Sequence, residues 1–155
     1  MREESLTTLS SILSQKFNDA FPEWAQYIEM VKSEGGDNAQ CFGVSIPSPI
    51  DGRYISIRER GDCIEVCFSD GRQPGGAERL HICERGEEMQ CVEASIQLMK
   101  EIVDEKLVIV RERSSPLLGG VALPPTFVSS NEISRRKRLV SVVSWRGKYD
   151  EKFDR

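Results

Sequence analysis

The sequence predicts an α+β fold: a single domain, residues 1–155, in which helices pack on a mostly antiparallel sheet. Three observations carry this expectation. Apolar residues recur at steps of three and four near the N-terminus and again around residues 88–106, the period of a helix with one buried face. Between them, short segments alternate apolar with polar or small residues, the period of a half-buried strand. The chain has 155 residues, 39% of them apolar, which suffices to bury one core.

Leu6, Leu9, Leu13, Phe17, Ala20 and Phe21 mark the first amphipathic helix, and Pro22 suits the first turn of the next. Trp24, Tyr27, Ile28 and Val31 repeat the spacing, so PEWAQYIEMVK is expected to form a second helix stopped by Gly35 and Gly36. Residues 1–34 are thus assigned to N-terminal helices. The period then changes to two. Phe42, Val44 and Ile46 read as a strand ending at Pro47, while RYISIRE and CIEVCF, joined by the polar ERGD, read as a hairpin. Gly71, Pro74, Gly75 and Gly76 make a loop before LHIC, a brief fourth strand.

Val92, Ser95, Ile96, Met99, Ile102 and Val103 share one face of the helix near 88–106, whose first turn carries acids where the helix dipole favours them. LVIVRER and LVSVVSW are short β-branched runs. Residues 114–130 between them, with Pro116, Gly119, Gly120, Pro124 and Pro125, read as one long loop. The expected core comprises Phe42, Val44, Ile46, Ile55, Ile57, Ile64, Val66, Phe68, Ile96, Met99, Val103, Ile109 and Val142.

The longest apolar run is far short of the roughly 18 residues of a membrane-spanning helix, and no export signal opens the chain, so a cytoplasmic location without membrane contact is expected. Cys41, Cys63, Cys67, Cys83 and Cys91 form an odd set with no C-x-x-C pair, which predicts free thiols and no zinc site. His81 is the only histidine, which rules out a multi-histidine metal centre. GRQPGGAER lacks the Gly-Lys-Ser/Thr ending of a phosphate loop. No cofactor, no metal and no catalytic set are expected; a small enzyme using Cys83 or a carboxylate pair is the last-ranked option, since no convergent set of groups is visible.

Net charge is −4, unevenly placed. From Asn131 onward eight Lys/Arg face four Asp/Glu, which leaves the first 130 residues at −8. A body of that sign repels phosphate backbones and attracts basic partners. Arg135 to Arg138 directly precede an expected strand and read as a solvated strand entry that discourages aggregation, with no nucleic-acid partner.

The hairpin RYISIRERGDCIEVCFSDG, the acidic helix running into DEKLVIVRER and the ending LVSVVSWRGKYDEKF resemble, in that order, a group of small bacterial α+β immunity proteins of polymorphic or contact-dependent growth inhibition toxin systems. The resemblance spans residues 40–153 and rests mainly on the Ser-Trp-Arg-Gly-x-Tyr-Asp ending after a final strand. It implies a cytosolic protein, monomer or weak dimer, that binds a cognate toxin domain, often a nuclease, and covers its active site or a nearby surface. Glu84, Glu87, Glu88, Asp104 and Glu105 are the candidate acidic contacts, and Trp145, Arg146 and Tyr149 the candidate contacts of the ending. Trp145 closes an apolar strand, so its ring is expected to pack at the sheet edge with Arg146 and Tyr149 facing outward. The alternative from another class is a secretion-system effector chaperone, which would expose a large apolar dimer face.

Overall fold

The computed structural model describes residues 8–32, 40–50, 52–60, 63–70, 78–83, 88–112, 121–125 and 139–152. Helix α1 (Thr8–Ala20) turns Leu9, Leu13 and Phe17 inward, as its period requires. A 3-10 turn (Pro22–Tyr27) follows, with proline at its start and the rings of Phe21 and Trp24 stacked 4.7 Å apart.

The second N-terminal helix expected here does not form. The chain instead extends into β1 (Ile28–Lys32), antiparallel to β2 (Gln40–Pro47), with Ile28 opposite Val44 and Lys32 opposite Gln40. Trp24, Tyr27, Ile28 and Val31 satisfy a helical period over barely two turns, too short a stretch to be helical on its own account. The edge of β2 offers backbone partners for five residues, and that tertiary gain overrides local propensity.

Strands β3 (Tyr54–Arg60), β4 (Cys63–Ser69) and β5 (Glu78–Cys83) complete a five-stranded meander in the order β1-β2-β3-β4-β5. The expected hairpin is β3–β4, paired from Tyr54 opposite Ser69 to Arg60 opposite Cys63. Helix α2 (Glu88–Val103) follows. The C-terminal runs do not join that sheet. β6 (Val108–Glu112), β7 (Val121–Leu123), β8 (Leu139–Val143) and β9 (Glu151–Lys152) form a second antiparallel sheet in the order β7-β6-β8-β9. β7 also interrupts the loop expected over 114–130, because three residues suffice to pair Val121, Ala122 and Leu123 with β6. Hydrophobic pattern specifies which residues are strand and which face is buried, but not the sheet a strand joins.

Leu13, Phe17, Ile55, Ile57, Ile64, Val66 and Phe68 have no accessible surface, and the same cluster takes in Met99 and Ile102 of α2 with Ile109, Val143 and Trp145 of the second sheet. Each such side chain contributes roughly 2 kcal/mol by leaving water. Every expected core residue is buried except Ile96, which packs half-buried against this cluster. Val142 belongs to a smaller cluster with Val108 and Val110 on the other face of the second sheet. Ser10 fastens α1 to the meander: its hydroxyl donates to the Glu59 carboxylate and accepts the Phe42 N–H at 2.7 Å.

Among the described residues no helix is long and apolar enough to cross a membrane. Cys41, Cys63 and Cys67 form no disulfide, whereas Cys91 is disulfide-bonded. The expectation of five free thiols is corrected to that extent: an odd count excludes a complete set of pairs but not a single bridge.

Candidate partner-binding surface

Three connections meet at one end of the molecule. The first is the exit from α2. Asp104 N–H donates to Lys100 O at 2.9 Å, Lys106 N–H to Glu101 O at 2.8 Å, and Glu105 takes the left-handed conformation at φ 57°. Glycine is the usual residue at such a helix end, because a Cβ crowds the backbone there. Glu105 is the only non-glycine residue with positive φ among those described. Its Oε1 accepts the Arg146 N–H at 2.6 Å, which gives the strained position a tertiary partner.

The second connection is the β2–β3 loop. Ser48 N–H donates to Arg53 O at 2.8 Å and Arg53 N–H to Ile50 O at 3.2 Å, which closes the loop on itself. The Ser48 hydroxyl donates to the carbonyl of Trp145 and accepts the Ile50 N–H at 3.0 Å.

The third connection is the turn from Ser144 to Asp150, which holds the Ser-Trp-Arg-Gly-x-Tyr-Asp segment. Asp150 Oδ1 accepts the Ser144 N–H at 2.8 Å and Arg53 Nη1 at 3.2 Å, while Oδ2 accepts Arg53 Nη2 at 2.8 Å. Arg53 Nη1 also donates to the Ser144 carbonyl. Tyr149 N–H donates to Ser144 Oγ at 3.0 Å. Gly147 has φ 81°, and a Cβ placed on it would meet Ile50 Cδ1 at 3.4 Å, so the turn tip lies directly against the β2–β3 loop.

Arg53 is 3% exposed and the Asp150 side chain 32%. A buried guanidinium is tolerated only when its charge is compensated, and the two-pronged carboxylate supplies the match in both charge and geometry. The base of the surface is therefore fixed from within. What it displays is a small mixed patch. Arg146 and Lys148 are exposed, the Lys148 ammonium lies 5.2 Å from the centroid of the Tyr149 ring, and Tyr149 and Ile50 are 36% and 38% exposed. Four large hydrophobic residues are exposed among those described, and two of them, Ile50 and Tyr149, belong to these connections, Ile50 lying against Gly147 of the turn.

Tyrosine and arginine on a rigid base are the residue types that concentrate binding energy at protein interfaces. Among the described residues no group of three or more His, Cys, Asp or Glu is arranged to hold a metal ion. A groove of about 360 Å³ between α1 and α2, lined by Lys16, Asp19, Ala20, Glu93, Ile96 and Gln97, lies open to solvent on the helical layer.

Of the residues singled out in the sequence, Asp104, Glu105, Arg146 and Tyr149 lie in these three connections. Trp145 is 2% exposed and packs in the core beneath the turn, as a strand-ending tryptophan should, with Arg146 and Tyr149 outward. Glu84, Glu87 and the side chain of Glu88 lie outside the described residues, as do Arg135 to Arg138. Sequence reasoning missed Ile50, Arg53 and Asp150. Asp150 stood within the quoted motif, and the pattern DGRY gave no sign that its arginine turns inward. No known protein family matches the chain, and neither a curated protein nor a solved structure matches it significantly.

Proposed function

We propose that the chain is an immunity protein that binds and neutralises a cognate bacterial toxin domain, and that the loop cluster around Tyr149 is its docking surface. The observation that carries this reading is the pairing of an internally clamped base, Arg53 with Asp150, to an exposed Ile50, Arg146 and Tyr149. Loops held rigid by a scaffold bind at little entropic cost, because their contact side chains need no further ordering of the backbone. The acidic excess of the first 130 residues adds long-range attraction toward a basic domain. The protein works in the cytoplasm and performs no reaction.

The test is binding of a purified toxin domain encoded beside the gene, measured by calorimetry with the unaltered chain and with Tyr149→Ala and Ile50→Ser. A central contact tyrosine should lower affinity by about thirtyfold or more on truncation. Both variants melting normally while binding as tightly as the parent would remove this surface from the mechanism.

A further inference from the structure

The charges at the turn tip are sorted by direction. The Asp150 carboxylate is turned inward on Arg53 and the Ser144 N–H, and the Glu105 carboxylate is engaged by the Arg146 N–H. Arg146 and Lys148, either side of Gly147 in the sequence, are exposed to solvent. Acids of this segment thus serve the fold, and its cations face outward. Ile50 against Gly147 and Tyr149 under the Lys148 ammonium add exposed apolar and aromatic surface to the same tip.

We infer that this tip recognises an acidic protein surface: carboxylates bordering an apolar pocket that accepts Tyr149 and Ile50. The inference rests on the reading of the loop cluster as a docking surface and specifies what it grips. Arginine pairs with a carboxylate through two parallel hydrogen bonds, and the Lys148 ammonium, held over the Tyr149 ring, places a second charge at a defined point. A continuous phosphate backbone is a poorer match. Two cations with a single tyrosine, next in the chain to the exposed acids Asp150 and Glu151, make no basic track, whereas nucleic acid favours an unbroken one with several stacking rings. Discrete carboxylates can pair with Arg146 and Lys148 one at a time and need no such track. On a toxin domain with a basic substrate channel, the tip therefore seats beside that channel rather than in it.

The experiment uses the isotopically labelled chain and three probes: a short synthetic peptide rich in Asp, Glu and Leu, the same peptide with Gln and Asn replacing its acids, and a short oligothymidine. Amide shifts on addition of the acidic peptide should concentrate at Ile50, Gly147, Lys148 and Tyr149, and vanish with the neutral peptide. Arg146→Glu combined with Lys148→Glu should weaken the acidic peptide roughly tenfold, and the milder Arg146→Gln with Lys148→Gln should give an intermediate loss with an unchanged melt. Shifts that are absent from this tip, or that oligothymidine reproduces, overturn the inference. A toxin domain that binds but ignores both charge variants overturns it as well while leaving the immunity reading in place. Failure of every toxin domain beside a positive peptide result overturns the immunity reading alone.

Discussion

Arg53 and Asp150, 97 positions apart, form a two-pronged ion pair in which the arginine is 3% exposed and the aspartate faces solvent on one side. The pair joins the β2–β3 loop to the turn that follows β8. Deleting one partner leaves a buried charge without compensation, so Asp150→Ala should lower stability by about 3 kcal/mol. Replacing both, Arg53→Met with Asp150→Leu, should cost less than Asp150→Ala alone. Urea denaturation of the three chains measures the difference, and a double variant weaker than the single one would contradict a compensating role.

Trp145 lies under that turn, 2% exposed. Trp145→Ala should cost about 3 to 5 kcal/mol in a thermal or urea melt, because the cavity cannot collapse between two elements fixed by the ion pair. A melt close to the parent's would place the ring at the surface instead.

Glu105 holds a left-handed backbone at the end of α2 and bonds the Arg146 N–H. Glu105→Gly removes the crowding, worth about 1 kcal/mol, and also removes the hydrogen bond, so global stability should change little. Hydrogen exchange at the Arg146 amide should nevertheless accelerate. Unchanged exchange there would show that the contact is incidental.

Ser10 bridges the Glu59 carboxylate and the Phe42 N–H inside the core. Ser10→Ala removes the hydroxyl from both groups and leaves the buried Phe42 N–H without this acceptor, at a cost of about 2 kcal/mol. Ser10→Thr, which keeps the hydroxyl, should recover much of the loss unless its extra methyl group clashes. Equal melts for the alanine variant and the parent would mean that water replaces the hydroxyl.

Cys63 and Cys67 are half-buried and outside any disulfide, Cys41 is buried and likewise unbridged, and Cys91 is disulfide-bonded. Brief alkylation of the folded chain should label Cys63 and Cys67 first, and Cys91 only after reduction. Peptide mass mapping reads both results, and label on Cys91 without a reductant would exclude its bridge.

Legibility of the fold follows the range of the forces involved. Strands with one buried face, such as Phe42, Val44 and Ile46 or Ile55 and Ile57, show their period locally, and α2 does the same through Val92, Met99 and Val103. Ile28 to Lys32 were misread as helix because their state is set by pairing with Gln40 to Val44, a contact that no local spacing records. The division into two sheets escaped notice for the same reason. At the surface the motif around Trp145 was visible, but its partition into inward Trp145 and Asp150 and outward Arg146 and Tyr149 was only half legible. The inward aspartate is defined by Arg53, in a distant loop whose sequence looks like any polar turn.

The Arg53–Asp150 pair also bears on the order in which the protein can be completed. All five strands of the meander lie before α2, and Arg53 sits among them, so this sheet emerges from the ribosome long before its counter-charge. Until residue 150 has cleared the exit tunnel, the guanidinium lacks this carboxylate and keeps its water. A chain halted before Asp150 therefore carries the residues of the exposed tip without the anchor that fixes them, and the finished surface becomes available only to molecules whose synthesis has passed that point.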